Sequence, residues 1–168
     1  MAIKDIELFH GVVFAKLLRS DRPINLKLFE FNADKSSAAY LVNDEVTLYV
    51  KHSKSLQQRK RKGYECAWHF NFSASHLEEI KNFSNDKCIR MILICGDNNL
   101  DNARAMQVCF LKPDEINTCI FIDATEIQTI TVSDVKRGKL RVWGTKNSAN
   151  NPLLIEKYRL EHWEVPGN

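Results

Sequence analysis

The sequence predicts an α+β fold. It reads as an N-terminal helix, an antiparallel or mixed β-sheet of about six or more strands, and short helices on one face, all in a single domain spanning residues 1–168. Three observations carry this reading. Apolar residues in the first nineteen positions recur at helical spacing. From residue 24 onward most apolar windows are five to nine residues long and alternate or run continuously, as strands do. The helical windows between them are short and bounded by capping residues.

In the first helix, residues 4–19, Ile6, Phe9, Val13 and Leu17 fall on one face, and Phe14 and Leu18 widen the stripe. Asp5 and Glu7 stand at its start and Lys16 and Arg19 at its end, as the helix dipole favours. Ser20-Asp21-Arg22-Pro23 stops it. Residues 24–31 are apolar on both alternating faces, the pattern of a central strand. Residues 38–42 and 46–51 flank Asn43-Asp44-Glu45, a tight hairpin turn. An exposed basic loop is expected over residues 51–62, followed by a strand over 64–72. There Cys66, Trp68, Phe70 and Phe72 face one side and Glu65, Ala67, His69 and Asn71 the other. Ser75 with Glu78 reads as a capping box opening a short helix, residues 76–83.

Residues 89–94 form a buried strand candidate ending at Gly96, a polar loop covers 97–104, and another strand covers 106–111. Pro113 suits the first turn of a helix over 114–120. Residues 127–132 and 139–143 read as a late hairpin turned near Lys136-Arg137-Gly138, and 153–161 reads equally as helix or strand.

Composition is that of an ordinary globular chain, 44% hydrophobic and 27% charged. The longest apolar run, Cys88 to Cys95, is far too short to span a membrane, and the acids Asp5 and Glu7 near the start lead to the expectation of no signal peptide. The five cysteines, at 66, 88, 95, 109 and 119, form no CxxC pair and lie mostly in apolar runs. They read as buried thiols in a reducing compartment. A soluble, cytoplasmic protein is expected.

Charge is segregated along the chain. Residues 51–62 contain Lys51, Lys54, Arg59, Lys60, Arg61 and Lys62 and no acid. Of 24 basic residues, removing these six leaves 18 against 21 acidic residues, so one segment makes the whole protein basic. Lys and Arg runs suit phosphate contact, because counterions are released from nucleic acid without precise geometry. They also occur as plain solvated loops.

The stripe Trp68, Phe70, Phe72 has the types that stack on bases, and equally the period of a half-buried core strand. The histidines, at 10, 52, 69, 76 and 162, show no zinc spacing, although His69 and His76 can approach each other across a strand–helix turn. No GxGxxG, Walker loop or nucleophile elbow is present.

Two resemblances follow. Tyr49-Val50-Lys51-His52-Ser53, the basic loop, Trp68-His69-Phe70-Asn71-Phe72, His76 and Ile94-Cys95-Gly96 resemble a group of small bacterial proteins associated with mobile elements and defence regions, which implies no particular activity. A helix, a β-meander with Lys at a strand end, then helix and strand is similar to the PD-(D/E)XK nuclease arrangement. That resemblance implies Lys51 as the catalytic lysine, Glu30 and Asp44 as candidate acids, and Mg²⁺ as cofactor. Tyr49 stands where the acid two residues before the lysine belongs, so the acid motif is not intact.

The leading expectation is a nucleic-acid-associated protein of bacterial or phage defence or counter-defence, binding DNA or RNA phosphates through the six basic residues and needing no cofactor. The alternatives are a protein-interaction module or oligomer-forming inhibitor, and a divergent metal-dependent nuclease. No membrane partner is expected.

Overall fold

A computed structural model describes residues 4–19, 21–32, 36–54, 56–59, 65–86, 88–98, 106–135 and 137–165. In chain order the elements are α1 (Asp5–Leu17), β1 (Leu26–Asn32), β2 (Ser37–Val42), β3 (Val46–Ser53), β4 (Leu56–Arg59), β5 (Glu65–Phe72), α2 (Ala74–Asp86), β6 (Cys88–Cys95), β7 (Gln107–Leu111), α3 (Pro113–Cys119), β8 (Gln128–Val135), β9 (Leu140–Gly144) and β10 (Leu153–Ile155). The α+β class and the N-terminal helix are as expected. The strands divide into two five-stranded sheets rather than one. The first has the order β1-β2-β3-β6-β7, with β3 parallel to β6; the second, β10-β9-β8-β5-β4, is antiparallel throughout.

The two sheets pack face to face. Between them lies one core, to which the first sheet gives Tyr49, Met91 and Leu93, the second gives Trp68, Phe70, Phe72 and Val132, and α2 and α3 give Leu77, Ile80 and Ile116. The other face of the first sheet carries a second core of Leu48, Val50, Ile92 and Phe110, covered by Phe9, Val13 and Leu17 of α1 and by Leu160 and Val165 near the C-terminus. The α1 stripe is therefore buried as its spacing demands, each such side chain contributing about 1.5–3 kcal/mol by leaving water. Leu18, read as part of the stripe, is exposed instead. β3 is covered on both faces, which is why it alternates Val46, Leu48, Val50 against Thr47, Tyr49, Lys51 with all of them buried.

Local chemistry explains the joins. Asn43 and Asp44 have φ of 49° and 58°, and the Glu45 N–H donates to the Val42 carbonyl at 3.0 Å, a tight turn within the three-residue connection of the β2–β3 hairpin. Pro113 opens α3, and the Glu115 carboxylate accepts the Lys112 N–H at 2.8 Å. The Trp68 indole N–H donates to the Gly96 carbonyl at 2.7 Å and ties the second sheet to the end of β6.

Four expectations change. β1 is an edge strand, not a central one: a bulge shifts its register between Leu28 and Glu30, and Leu28 and Phe29 are 58% and 67% exposed. The basic segment is not one loop. β3 runs on to Ser53 and β4 takes residues 56–59, because Leu56 packs on the inter-sheet core and β5 supplies a pairing edge. α2 starts at Ala74, which makes Ser73 its N-cap in place of Ser75. Only residues 153–155 of the ambiguous C-terminal stretch form a strand, and turns follow.

Candidate functional site

The structure draws together residues that the sequence scatters. Lys51, near the end of β3, projects into the seam between the sheets and is only 6% exposed. Its Nζ lies 3.3 Å from Nε2 of His76 and 5.7 Å from the centre of the Phe72 ring. His76 occupies the third position of α2 and reaches back, as Glu does in an ordinary capping box. Its Nδ1 accepts the Ser73 N–H at 3.0 Å and lies 2.9 Å from the Ser73 hydroxyl, which is 3.0 Å from that of Ser75. A backbone N–H only donates, so Nδ1 is the acceptor and a neutral ring carries its proton on Nε2, toward Lys51. Lys51 and His76 thus converge as donors beside the start of α2, chemistry that suits an anionic oxygen.

The rest of the basic segment is arranged differently. Lys54 is ion-paired with Asp5 of α1 at 2.5 Å, and this pairing holds the Asp5 carboxyl below its usual range. Arg59 ends β4 opposite Glu65 of β5, with β4 at the outer edge of the second sheet. Lys60, Arg61 and Lys62 lie outside the described residues, in the connection between β4 and β5.

The candidate nuclease residues do not form one centre. Asp44 sits at the turn before β3, bonded to Lys27 at 2.6 Å. Lys51 lies five residues into β3 beyond Val46, about 17 Å from the turn end of that strand at the rise of an extended chain. Glu30 lies on β1, paired with Ala39 and so two strands from β3. Among the described residues no group of three or more His, Cys, Asp or Glu is placed to hold a metal ion.

The aromatic stripe is core: Trp68, Phe70 and Phe72 are buried. His69 and His76 do not meet. His69 bonds the Thr131 hydroxyl at 2.8 Å and the Gln57 side-chain oxygen at 3.0 Å, on the face of β5 opposite the core. Of the cysteines, Cys95, Cys109 and Cys119 are buried, Cys66 is half-buried and Cys88 is exposed; all five are free thiols.

One buried cluster escaped the sequence reading. His10, on the apolar stripe of α1, is 2% exposed and His52 of β3 is 7% exposed. Their rings meet edge-on with centres 5.8 Å apart, Phe9 stacks on His52, and His10 Nδ1 bonds the Tyr40 hydroxyl at 2.9 Å. His10 Nε2 and His52 Nδ1 have no hydrogen-bond partner among the described residues. Burial first, then the neighbouring His52, pushes His10 down to about 3. Burial likewise lowers His52, and it raises Tyr40 to about 12. A histidine at a helical core position hides among apolar neighbours, and the only sequence signal was that it interrupts the stripe.

No protein-family description, curated protein or solved structure matches the chain. Among the described residues no helix is long and apolar enough to cross a membrane.

Proposed function

We propose that the protein binds nucleic acid without cleaving it, through the basic β4–β5 hairpin. The observation that carries this reading is the placement of the charge. Lys51 is buried and Lys54 is spent on Asp5, so the contact set narrows to Arg59, Lys60, Arg61 and Lys62. Arg59 ends the edge strand β4 and the other three follow it in sequence, in a chain whose remaining residues are nearly balanced, 24 − 4 = 20 basic against 21 acidic. A run of cations beside a sheet edge suits the phosphates of nucleic-acid grooves and single strands. The succession α1, β1–β3 ending near Lys51, α2 and β6 keeps the order of the nuclease arrangement, interrupted by the β4–β5 hairpin. With Tyr49 in the acid's place and Asp44 in the turn before β3, those positions give Lys51 no acid pair for cleavage, and the reading rests on the basic run alone.

Fluorescence polarisation with labelled single- and double-stranded DNA and RNA tests it. Four phosphate contacts give slopes of log affinity against log salt of about −3.6 on duplex and −2.8 on single strands. Between 50 and 200 mM salt the affinity then falls roughly 150-fold or 50-fold respectively. Replacing residues 59–62 with Gln flattens the slope toward zero. Binding that ignores salt, or that the fourfold variant retains unchanged, refutes the proposal.

A further inference from the structure

A cleft of about 530 Å³ opens between the end of β7 and the C-terminal turns, remote in sequence from the basic hairpin. That volume is in the range of small-molecule sites, which combine mainly apolar walls with a few polar groups. Its floor is the ring pair of Phe110 and Trp163, with centres 5.3 Å apart. Phe110 is buried and Trp163 half-buried.

One wall is Arg159, and it is rigidly held. Its Nη1 donates to both carboxylate oxygens of Glu115 at 2.6 and 2.7 Å and to the Phe110 carbonyl at 3.4 Å. Glu115 is itself pinned by the Lys112 N–H at 2.8 Å. The Glu115 carboxylate thus matches the charge of the guanidinium. The lining also includes Tyr158, 63% exposed, a large aromatic that core packing does not account for.

The remaining charges set the ligand. Glu156 pairs with Lys139 at 2.6 Å. Lys112 brings a positive charge to the lining, His162 an imidazole and Glu164 a carboxylate. Flat surfaces, a cation and a single acceptor together suit a ring that carries both N–H groups and an anion.

We propose that this cleft binds an N–H-bearing heterocycle with an attached phosphate, its ring stacked on Tyr158 and Trp163, its phosphate at Lys112 and His162, and a ring N–H donated to Glu164. A free mononucleotide and the phosphorylated end of a nucleic-acid strand share this chemistry.

Titration of the full chain with the four nucleoside 5′-monophosphates, followed by NMR of the Trp163 indole N–H, tests the proposal. Comparison arms use a nucleoside, inorganic phosphate and a 5′-phosphorylated tetranucleotide. At least one monophosphate will shift the Trp163 signal saturably, roughly 10-fold more tightly than the matching nucleoside. Tyr158→Ala will weaken ring binding about 10-fold, the scale of one lost base stack. Lys112→Gln will reduce monophosphate affinity to that of the nucleoside. Tighter binding of the tetranucleotide assigns the site to a strand end, and equal or weaker binding assigns it to the free nucleotide. The Trp68 indole, bonded to Gly96, reports that the variants remain folded. No saturable shift up to millimolar ligand, equal shifts with inorganic phosphate alone, or affinities unchanged in both variants would overturn it. A chain with residues 59–62 replaced by Gln keeps this binding, so the hairpin and the cleft fail or survive separately.

Discussion

The His10–His52 pair sets a measurable limit on stability in acid. In the unfolded chain His10 titrates near 6.5, and in the folded protein burial and the adjacent His52 hold it near 3. The folded state therefore refuses a proton that the unfolded state accepts. Stability from this group is complete above pH 6.5 and drains away as pH falls toward 3, by about 1.4 kcal/mol per unit. From pH 7.0 to 4.5 the loss is about 2.5 kcal/mol from His10 alone, a sizeable part of a domain's usual 5–15 kcal/mol. His52 shifts in the same direction, chiefly by burial, with Lys51 and Lys54 reinforcing the effect and Asp5 opposing it. His10→Phe keeps a ring at this site but strands the Tyr40 hydroxyl, at a cost of about 1 kcal/mol that does not depend on pH. Urea unfolding at pH 7.0, 5.5 and 4.5 will show the wild-type chain more stable at neutral pH and the variant more stable at pH 4.5, with the curves crossing between about pH 5 and 6. Carboxylates titrate alike in both chains and cancel. Parallel curves, offset by a constant, would refute a buried neutral His10.

Other consequences are equally direct. A Cβ on Gly144 would stand 2.3 Å from the Cys119 carbonyl oxygen and 2.7 Å from that of Thr129, both backbone atoms. Gly144→Ala will therefore cost about 3 kcal/mol in urea unfolding, whereas a cost below about 1 kcal/mol would contradict this packing. Thiol titration of the native chain at pH 8 will find Cys88 fast and Cys66 slow, since burial raises the Cys66 thiol. Cys95, Cys109 and Cys119, pushed up mainly by burial with Cys119 at about 12, will react only after unfolding in guanidinium chloride; three fast thiols in the native chain would exclude this core.

Legibility followed the strength of local physics. The α1 stripe, the β5 alternation and the Asn43-Asp44 turn were readable because each is dictated by spacing or by tolerance of positive φ. β4 was hidden because an edge strand needs few apolar residues: here Leu56 meets the core, and the Lys/Arg run dominates the window. Residues 24–31 looked central because apolar residues, Leu28 and Phe29 among them, fall on both faces, yet the strand order places β1 at an edge. The Ser75–Glu78 pair matched a capping box in spacing, but the chain turns out of β5 two residues earlier, where His76 serves Ser73. The narrowing from six basic residues to four was not readable, since Lys51 meets His76 and Lys54 meets Asp5 only through tertiary packing. Apart from Phe110 on β7, most of the cleft residues lie in the C-terminal stretch outside helices and strands, so nothing in their spacing announced a shared wall.

The chain's traffic between the two sheets has a consequence for assembly. It leaves the first sheet after β3, returns for β6 and β7, and leaves again for β8, β9 and β10. The parallel β3–β6 pair can close only around an excursion that contains β4, β5 and α2, and β5 must then wait for β8 to arrive from the far side of α3. Neither sheet is a contiguous stretch that a ribosome could release to fold first. Such wiring predicts slow, all-or-none folding dominated by distant pairings. A cut in the polypeptide between β7 and α3 would leave each fragment with an unfinished second sheet, and two such fragments would regain structure only by finding one another.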